Sequence, residues 1–532
     1  MNGFEASRRQ ALAIALGGVA SLALPGRLLA APVDAVAFEA VVDGIVRPFM
    51  MAFQTPGIAI AIVRPGAAAF TKGYGVRTQG QPGAVDAHTL FGIASHSKAF
   101  TAAALALLVD AGKLGWDDLV TKHLPEFRMN DPAVTAMMTV RDLLVHRSGL
   151  PLGGGDLMAF PKSDRPASDV IKALPYLKPV RGFRTGYDYD NILYIVAGLV
   201  IERVSGMGWD RFVAERLFAP LGLPDAVPSR AWLKTANVAG RHARLGPPVR
   251  GMGALAVVPP DEGAMIDAAG GINASVADMA KWLRVQLDEG KLPDGKPLWS
   301  PEQAKEMWTP ATIVGATDGP TPALPTRAVL QTYALGWVVQ DYRGQRMIQH
   351  SGGLSGQVTF SGLLPGRGIG VSVLSNVEDG VSASIRNAIL DRLIDAPAFD
   401  WVGAYRSRTE TANAEALASV AGGVDTAPPG GPSLPLAAYA GRYRDPWYGD
   451  IVVTEKRGGL VIDFVPTPVF KGPLERWGPD SFRTRFAKDA GEDAIVNFAI
   501  RDGRISGVTM KPLSPLADFS YDFQHLAFVP AH

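Results

Sequence analysis

The sequence predicts an α+β chain made of two folded parts, and three observations lead to that reading. Strand-like runs near residue 57 and again after residue 333 flank a long helical region. A stretch dense in Pro and Gly follows at 424–436. Beyond it come short β-rich runs separated by turns. At 532 residues the chain exceeds one ordinary domain of about 100–200 residues, and 47% apolar content supplies a large core.

Residues 1–31 read as an export signal. Ser7-Arg8-Arg9-Gln10 precedes the apolar run Ala11–Leu24, followed by Pro25 and the small-residue end Leu29-Ala30-Ala31. The paired arginines predict the twin-arginine route, hence a bacterial periplasmic or secreted protein with no stable membrane insertion after signal cleavage. A membrane anchor is disfavoured, because the apolar run falls short of the ~20 residues needed to span a bilayer.

The first folded part is placed at 32–400. Pro32–Phe53 has helical spacing, and Gly57–Val63, Pro65-Gly66 and Ala69–Val76 read as a hairpin that opens an antiparallel sheet. Helical patterning runs from Ser95 to about Leu292, including Ile192–Val204 and Ser275–Leu287, with Ser275 and Asp278 as a capping pair. Strand character returns at Tyr333–Gln340, Arg346–His350, Gln357–Leu363 and Gly368–Ser375. A helical segment and linker follow at 401–436, where Pro428, Pro429, Gly430, Gly431, Pro432 and Pro435 cluster. Residues 437–532, with turns at Arg457-Gly458-Gly459, Gly478-Pro479-Asp480 and Arg501-Asp502-Gly503, predict a small all-β barrel or sandwich.

The chemistry begins at Ser95-His96-Ser97-Lys98, just before the apolar run Ala99–Val109. On a helix the hydroxyl and the amine lie one turn apart on one face, where the amine can take the hydroxyl's proton. Ser95 is then a candidate nucleophile and Lys98 its base, provided that the environment lowers the amine's pKa well below ~10.4. Taken alone, the string also describes a structural Ser–Lys pair. Two further motifs arrive in order, Tyr189-Asp190-Asn191 and His350-Ser351-Gly352-Gly353, and the segment Leu143-Leu144-Val145-His146-Arg147-Ser148-Gly149-Leu150-Pro151 lies between.

As a set, these motifs resemble the serine β-lactamase and penicillin-binding-protein superfamily, in its branch of class C β-lactamases, D-aminopeptidases, D-amino-acid amidases and esterases. Ala269-Gly270-Gly271-Ile272-Asn273-Ala274-Ser275 and Val373-Leu374-Ser375-Asn376 extend the resemblance over roughly residues 35–395. The resemblance implies a sheet with strands from both ends of the domain and inserted helices. It implies a metal-free, cofactor-free acyl-enzyme in which Ser95 is the nucleophile and Tyr189 relays protons. Asn191 orients Lys98 and binds substrate, His350 and Gly352 line the substrate site, and the backbone N–H groups of Ser95 and Gly353 hold the oxyanion. Tyr439-Ala440-Gly441-Arg442-Tyr443 resembles the opening of a lipocalin-like accessory domain attached to some of these hydrolases.

The third motif departs from the Lys-Thr-Gly that most β-lactamases carry. Histidine, with a reference pKa near ~6.5, is mostly neutral at pH 7 unless its neighbours raise it, and so matches a substrate carboxylate less well than a fixed cation. The expected activity is hydrolysis of a small amide, peptide or ester. The alternatives are a β-lactamase or D,D-carboxypeptidase acting on cell-wall-like substrates, and a non-catalytic penicillin-recognising or scaffold protein.

Composition excludes other classes. The formal charge is +1, and removing residues 1–31, with Arg8, Arg9 and Arg27 against Glu5, takes it to −1, so nothing attracts nucleic acid or acidic membrane. The absence of cysteine rules out thiol catalysis and cysteine-held metals. The eight histidines show no zinc-ligand spacing, and Gly73-Tyr74-Gly75 lacks the Lys-Ser/Thr of a phosphate loop. His96 and His146 read as wall or structural residues.

Overall fold

The computed structural model describes residues 35–421, 427–487 and 490–531. The expected export signal lies outside the described residues. The described residues from Val42 onward belong to one compact unit, and residues 35–41 are the opening turns of the helix Ala35–Phe53.

Eight antiparallel strands form the central sheet, in the spatial order Phe70–Gly75, Gly57–Val63, Ile369–Ser375, Gln357–Leu364, Gln345–Leu354, Val338–Tyr342, Leu330–Tyr333 and Thr312–Ala316. The N-terminal hairpin therefore pairs with the last strand, Ile58 opposite Ser375 and Val63 opposite Gly370. Asn376 locks this junction: its Oδ1 accepts from Gly57 N at 2.7 Å, and its Nδ2 donates to the carbonyls of Val76 and Arg77.

Helices cover both faces of the sheet. Gly362 and Val371 are register partners, as are Leu363 and Gly370, so Gly362 and Gly370 point to opposite sides. Gly362 faces Arg386 of the helix Val381–Leu393, and Gly370 faces Leu283 of the helix Val276–Leu287. Trp282 stacks on Phe100 of the helix Ser97–Asp110, ring centroids 3.8 Å apart, which ties that helix to the covered face. Truncating Phe100, 1% exposed, to Ala would cost about 3–5 kcal/mol.

One expectation changes in detail. The run Tyr333–Gln340 is two strands rather than one: Gly336 adopts φ +74° and Ala334 N bonds Trp337 O at 2.7 Å, a tight turn that alternation cannot reveal. Ser275 caps its helix as expected, accepting from Asp278 N at 3.2 Å.

After the helix Trp401–Val420, eight strands close into a barrel, from Gly441–Asp445 round to Ala527–Pro530, which pairs back to the first at Tyr443 and Arg444. Tyr439, Phe464, Phe482, Phe498, Phe523 and Phe528 fill it, as expected for an eight-stranded barrel whose interior is just wide enough for side chains.

Candidate active site

The nucleophile turn is a short 3₁₀ segment, Ala94–His96, that feeds the helix Ser97–Asp110. Ala94 sits at φ +48°, an unfavourable conformation for a residue with a Cβ, held by burial and by the strand Gln345–Leu354 beside it. The turn sets Ser95 at the floor of a cleft of about 610 Å³.

Three sequence motifs meet there. Lys98 Nζ lies 3.1 Å from Ser95 Oγ, and Tyr189 donates its hydroxyl to the same oxygen at 2.7 Å. Lys98 also donates to Asn191 Oδ1 at 2.7 Å and to the Ala269 carbonyl at 3.0 Å, so the Ala269-Gly270-Gly271 segment contributes an acceptor to the site. Full burial pushes the amine down to about 7, against the opposing charges of Asp156 and Asp190. Near neutral pH a large share of Lys98 is therefore unprotonated and able to accept the Ser95 proton.

Tyr189 is a phenol, not a phenolate. Burial holds its pKa well above the ordinary value of 10, although the Ser95 hydrogen bond and Lys98, 4.7 Å from its ring centroid, favour ionisation or sit close by. Its ring packs against His146, centroids 4.3 Å apart and planes tilted by 37°. His146 Nδ1 accepts from Asp190 N at 3.2 Å, which requires the neutral tautomer, and burial lowers its pKa. The Leu143–Pro151 segment thus cradles the Tyr189 turn, with Ser148 Oγ bonding Asp190 and Tyr194 bonding the Leu144 carbonyl.

In the third motif the structure changes the expectation for Gly352 and keeps that for His350. His350 is buried but lines the cleft; its Nδ1 donates to Ser351 O at 2.6 Å, and its Nε2 accepts from Tyr333 at 2.8 Å. Burial, with His96 and Lys98 nearby, lowers its pKa well below 6.5, so it supplies no positive charge to Tyr189. Gly352 does not face the cleft. A Cβ there would stand 2.2 Å from the Ile93 carbonyl, so glycine is needed for the strand to approach the nucleophile turn. Gly353, the next residue, lines the cleft with Ser95 and has open space beside it. His96 is buried and turned away from Ser95, its Nδ1 2.9 Å from the Ile93 carbonyl, and burial lowers its pKa to about 4.

The sequence reading missed several parts of the site. Asp156 accepts from Asn191 Nδ2 at 2.9 Å, and burial raises its pKa to about 8. Its only sequence signal is a carboxylate after Gly153-Gly154-Gly155, which matches no motif. Tyr333 begins life in the sequence as an unremarked strand residue. The barrel's loop, through Phe519, Ser520 and Tyr521, walls the cleft, a long-range contact with no local signature. Among the described residues no cluster of His, Asp or Glu is arranged to hold a metal ion, and no single helix is long and apolar enough to cross a membrane.

The site thus sets a Ser-x-x-Lys turn at the floor of a cleft, on a sheet covered by helices on both faces. The family model described as Beta-lactamase matches residues 42–396, and the chain belongs to that family. A Domain of unknown function (DUF3471) model matches residues 425–530. An unguisins hydrolase, ungD', of Aspergillus campestris is 29% identical over 441 residues, covering 79% of this chain and 78% of that protein. Protein flp of Staphylococcus aureus is 26% identical over 341 residues, 63% of this chain and 62% of that one. The octameric penicillin-binding protein homologue of Pyrococcus abyssi superposes with a TM-score of 0.58 at 22% identity, covering 92% of this chain and 99% of that one. A class C beta-lactamase gives 0.55 at 18%, covering 68% and 98%.

Proposed function

We propose that the protein is a serine hydrolase that works through an acyl-enzyme on Ser95 and cleaves a small amide, peptide or ester. The observation that carries this reading is the convergence of Lys98 and Tyr189 on one hydroxyl oxygen, with the amine held near neutrality by burial. Neutral Lys98 takes the Ser95 proton as Oγ attacks the carbonyl carbon. The developing oxyanion is received by the N–H groups of Ser95 and Gly353. As the acyl carbon–heteroatom bond breaks, the Tyr189 hydroxyl gives its proton to the leaving group, and the Lys98 proton restores the phenol. Water then adds to the ester, and Ser95 leaves with its proton restored.

The cleft favours substrates without a free carboxylate. Among the described residues that line it, Arg250 is the only Lys or Arg, and Glu378 holds it by two bonds of 2.6 and 2.7 Å. Asp261, Glu492 and Asp518 add negative charge or acidic groups to the same wall. With His350 neutral, no free cation is offered where a penicillin carboxylate would need one, which places β-lactam hydrolysis second. Residues 1–31, read as a twin-arginine signal, carry the further proposal that the protein is exported to the periplasm or beyond. A fluorescent fluorophosphonate tests the reading: it should label the wild type and leave Ser95→Ala unlabelled, and equal labelling of both would overturn it.

A further inference from the structure

Beyond the hydrolytic reading, on which this inference rests, the barrel reaches the hydrogen bonds around Lys98. The loop between the strands Arg504–Pro512 and Ala527–Pro530 leaves the barrel and lies on the first folded part. Asp522, on this loop, has none of its surface exposed and accepts from Gly155 N at 2.8 Å and Leu157 N at 3.0 Å. These are the residues on either side of Asp156. Ser520 Oγ donates to Asp156 Oδ2 at 3.0 Å, beside the Asn191 Nδ2 bond to the same oxygen. Gly153, at φ +67°, leaves room for the Phe519 carbonyl, which would stand 2.6 Å from a Cβ.

A side-chain amide has one donating end and one accepting end. Asp156 holds the Asn191 nitrogen, which turns the Asn191 oxygen toward Lys98 Nζ at 2.7 Å. A flipped amide would set two donors against each other at Lys98. We propose that the C-terminal barrel is a working part of the active site: Ser520 and Asp522 seat Asp156 against Asn191, and this chain of bonds positions Lys98 beside Ser95. Ser520, Asp522 and Asp156 are positioning residues, each acting through Asn191 and Lys98.

The coupling runs through orientation rather than charge. Burial and the neighbouring Asp522 raise the Asp156 pKa to about 8, so the carboxyl is largely neutral where Lys98 titrates near 7. Asp156 therefore acts on Lys98 by fixing which end of the Asn191 amide faces Nζ.

The test measures, in the full-length protein, the second-order rate of Ser95 phosphonylation by a fluorophosphonate across the pH range in which Lys98 titrates, together with Tm. Ser520→Ala should melt within a few degrees of the wild type. Its plateau rate should fall about three- to tenfold, the size of one hydrogen bond, and Ser520→Thr, which keeps the hydroxyl, should restore most of it. Asp522→Ala, which frees the backbone on both sides of Asp156, should lose more; Ser520→Ala carries the test if that variant does not fold. A Ser520→Ala plateau equal to that of the wild type, or a loss that Ser520→Thr does not restore, overturns the positioning role and leaves the hydrolase reading standing. A wild type that is not labelled at Ser95 overturns both.

Discussion

Lys98 Nζ stands 3.1 Å from Ser95 Oγ on a side chain with no surface exposed to solvent. In the proposed mechanism the two residues act as one unit, since the hydroxyl needs a base and burial lowers the amine's pKa enough to make it one. Ser95→Ala and Lys98→Ala should each lower kcat on a p-nitrophenyl ester by about 10³-fold or more, and the double variant should be little worse than either. Additive losses would separate them. The sign of the pH dependence follows from the same pair. Activity requires the neutral amine, so kcat/KM should be full above about pH 7 and fall as pH drops through that value.

The proposed role of Tyr189 is that of proton donor, since its pKa is held well above 10 and its hydroxyl points at Ser95 Oγ. Tyr189→Phe should therefore slow anilide or amide cleavage by about 10²–10⁴-fold. A p-nitrophenyl ester, whose leaving group departs as a stable anion, should lose much less. Equal losses on the two substrates would contradict the donor role.

Burial lowers the His350 pKa well below its ordinary 6.5, so no step in β-lactam or ester turnover near neutral pH should follow its ionisation. Tyr333→Phe strips the only described partner from His350 Nε2 and should cost about 1–3 kcal/mol in chemical denaturation. An unchanged midpoint would show that the Tyr333–His350 bond is not formed.

Gly352 and Gly353 differ in what surrounds them. Gly352→Ala drives a methyl into the Ile93 carbonyl and Ala94, so Tm should fall by several degrees and Ser95 labelling should be largely lost. Gly353→Ala meets open space, and its Tm should stay near that of the wild type. The reverse order would mean that the third motif sits differently against the nucleophile turn.

The central sheet and the barrel were legible because their strands announce themselves through alternation and turn chemistry. So were Ser95, Lys98, Tyr189 and Asn191, each at a fixed offset in a short motif. What the sequence concealed depends on contacts between distant segments. Nothing local says that Asp156 is buried beneath Asn191, that Ser520 and Asp522 arrive from some 360 residues away, or that Tyr333 caps His350. The neutral state of His350 was expected from its ordinary pKa, but the burial and the neighbouring His96 and Lys98 that push that pKa lower were not legible. The 424–436 stretch reads as a linker between separable units, yet Asp522 fills two backbone donors of the first part.

The covalent intermediate tests the central claim most directly. After mixing with an excess of activated ester and rapid acid quench, intact mass followed by peptide mapping should find one acyl group per chain, on Ser95. It should accumulate in a burst before steady turnover. Steady turnover with no adduct on Ser95, or with the acyl group on another residue, would contradict the account.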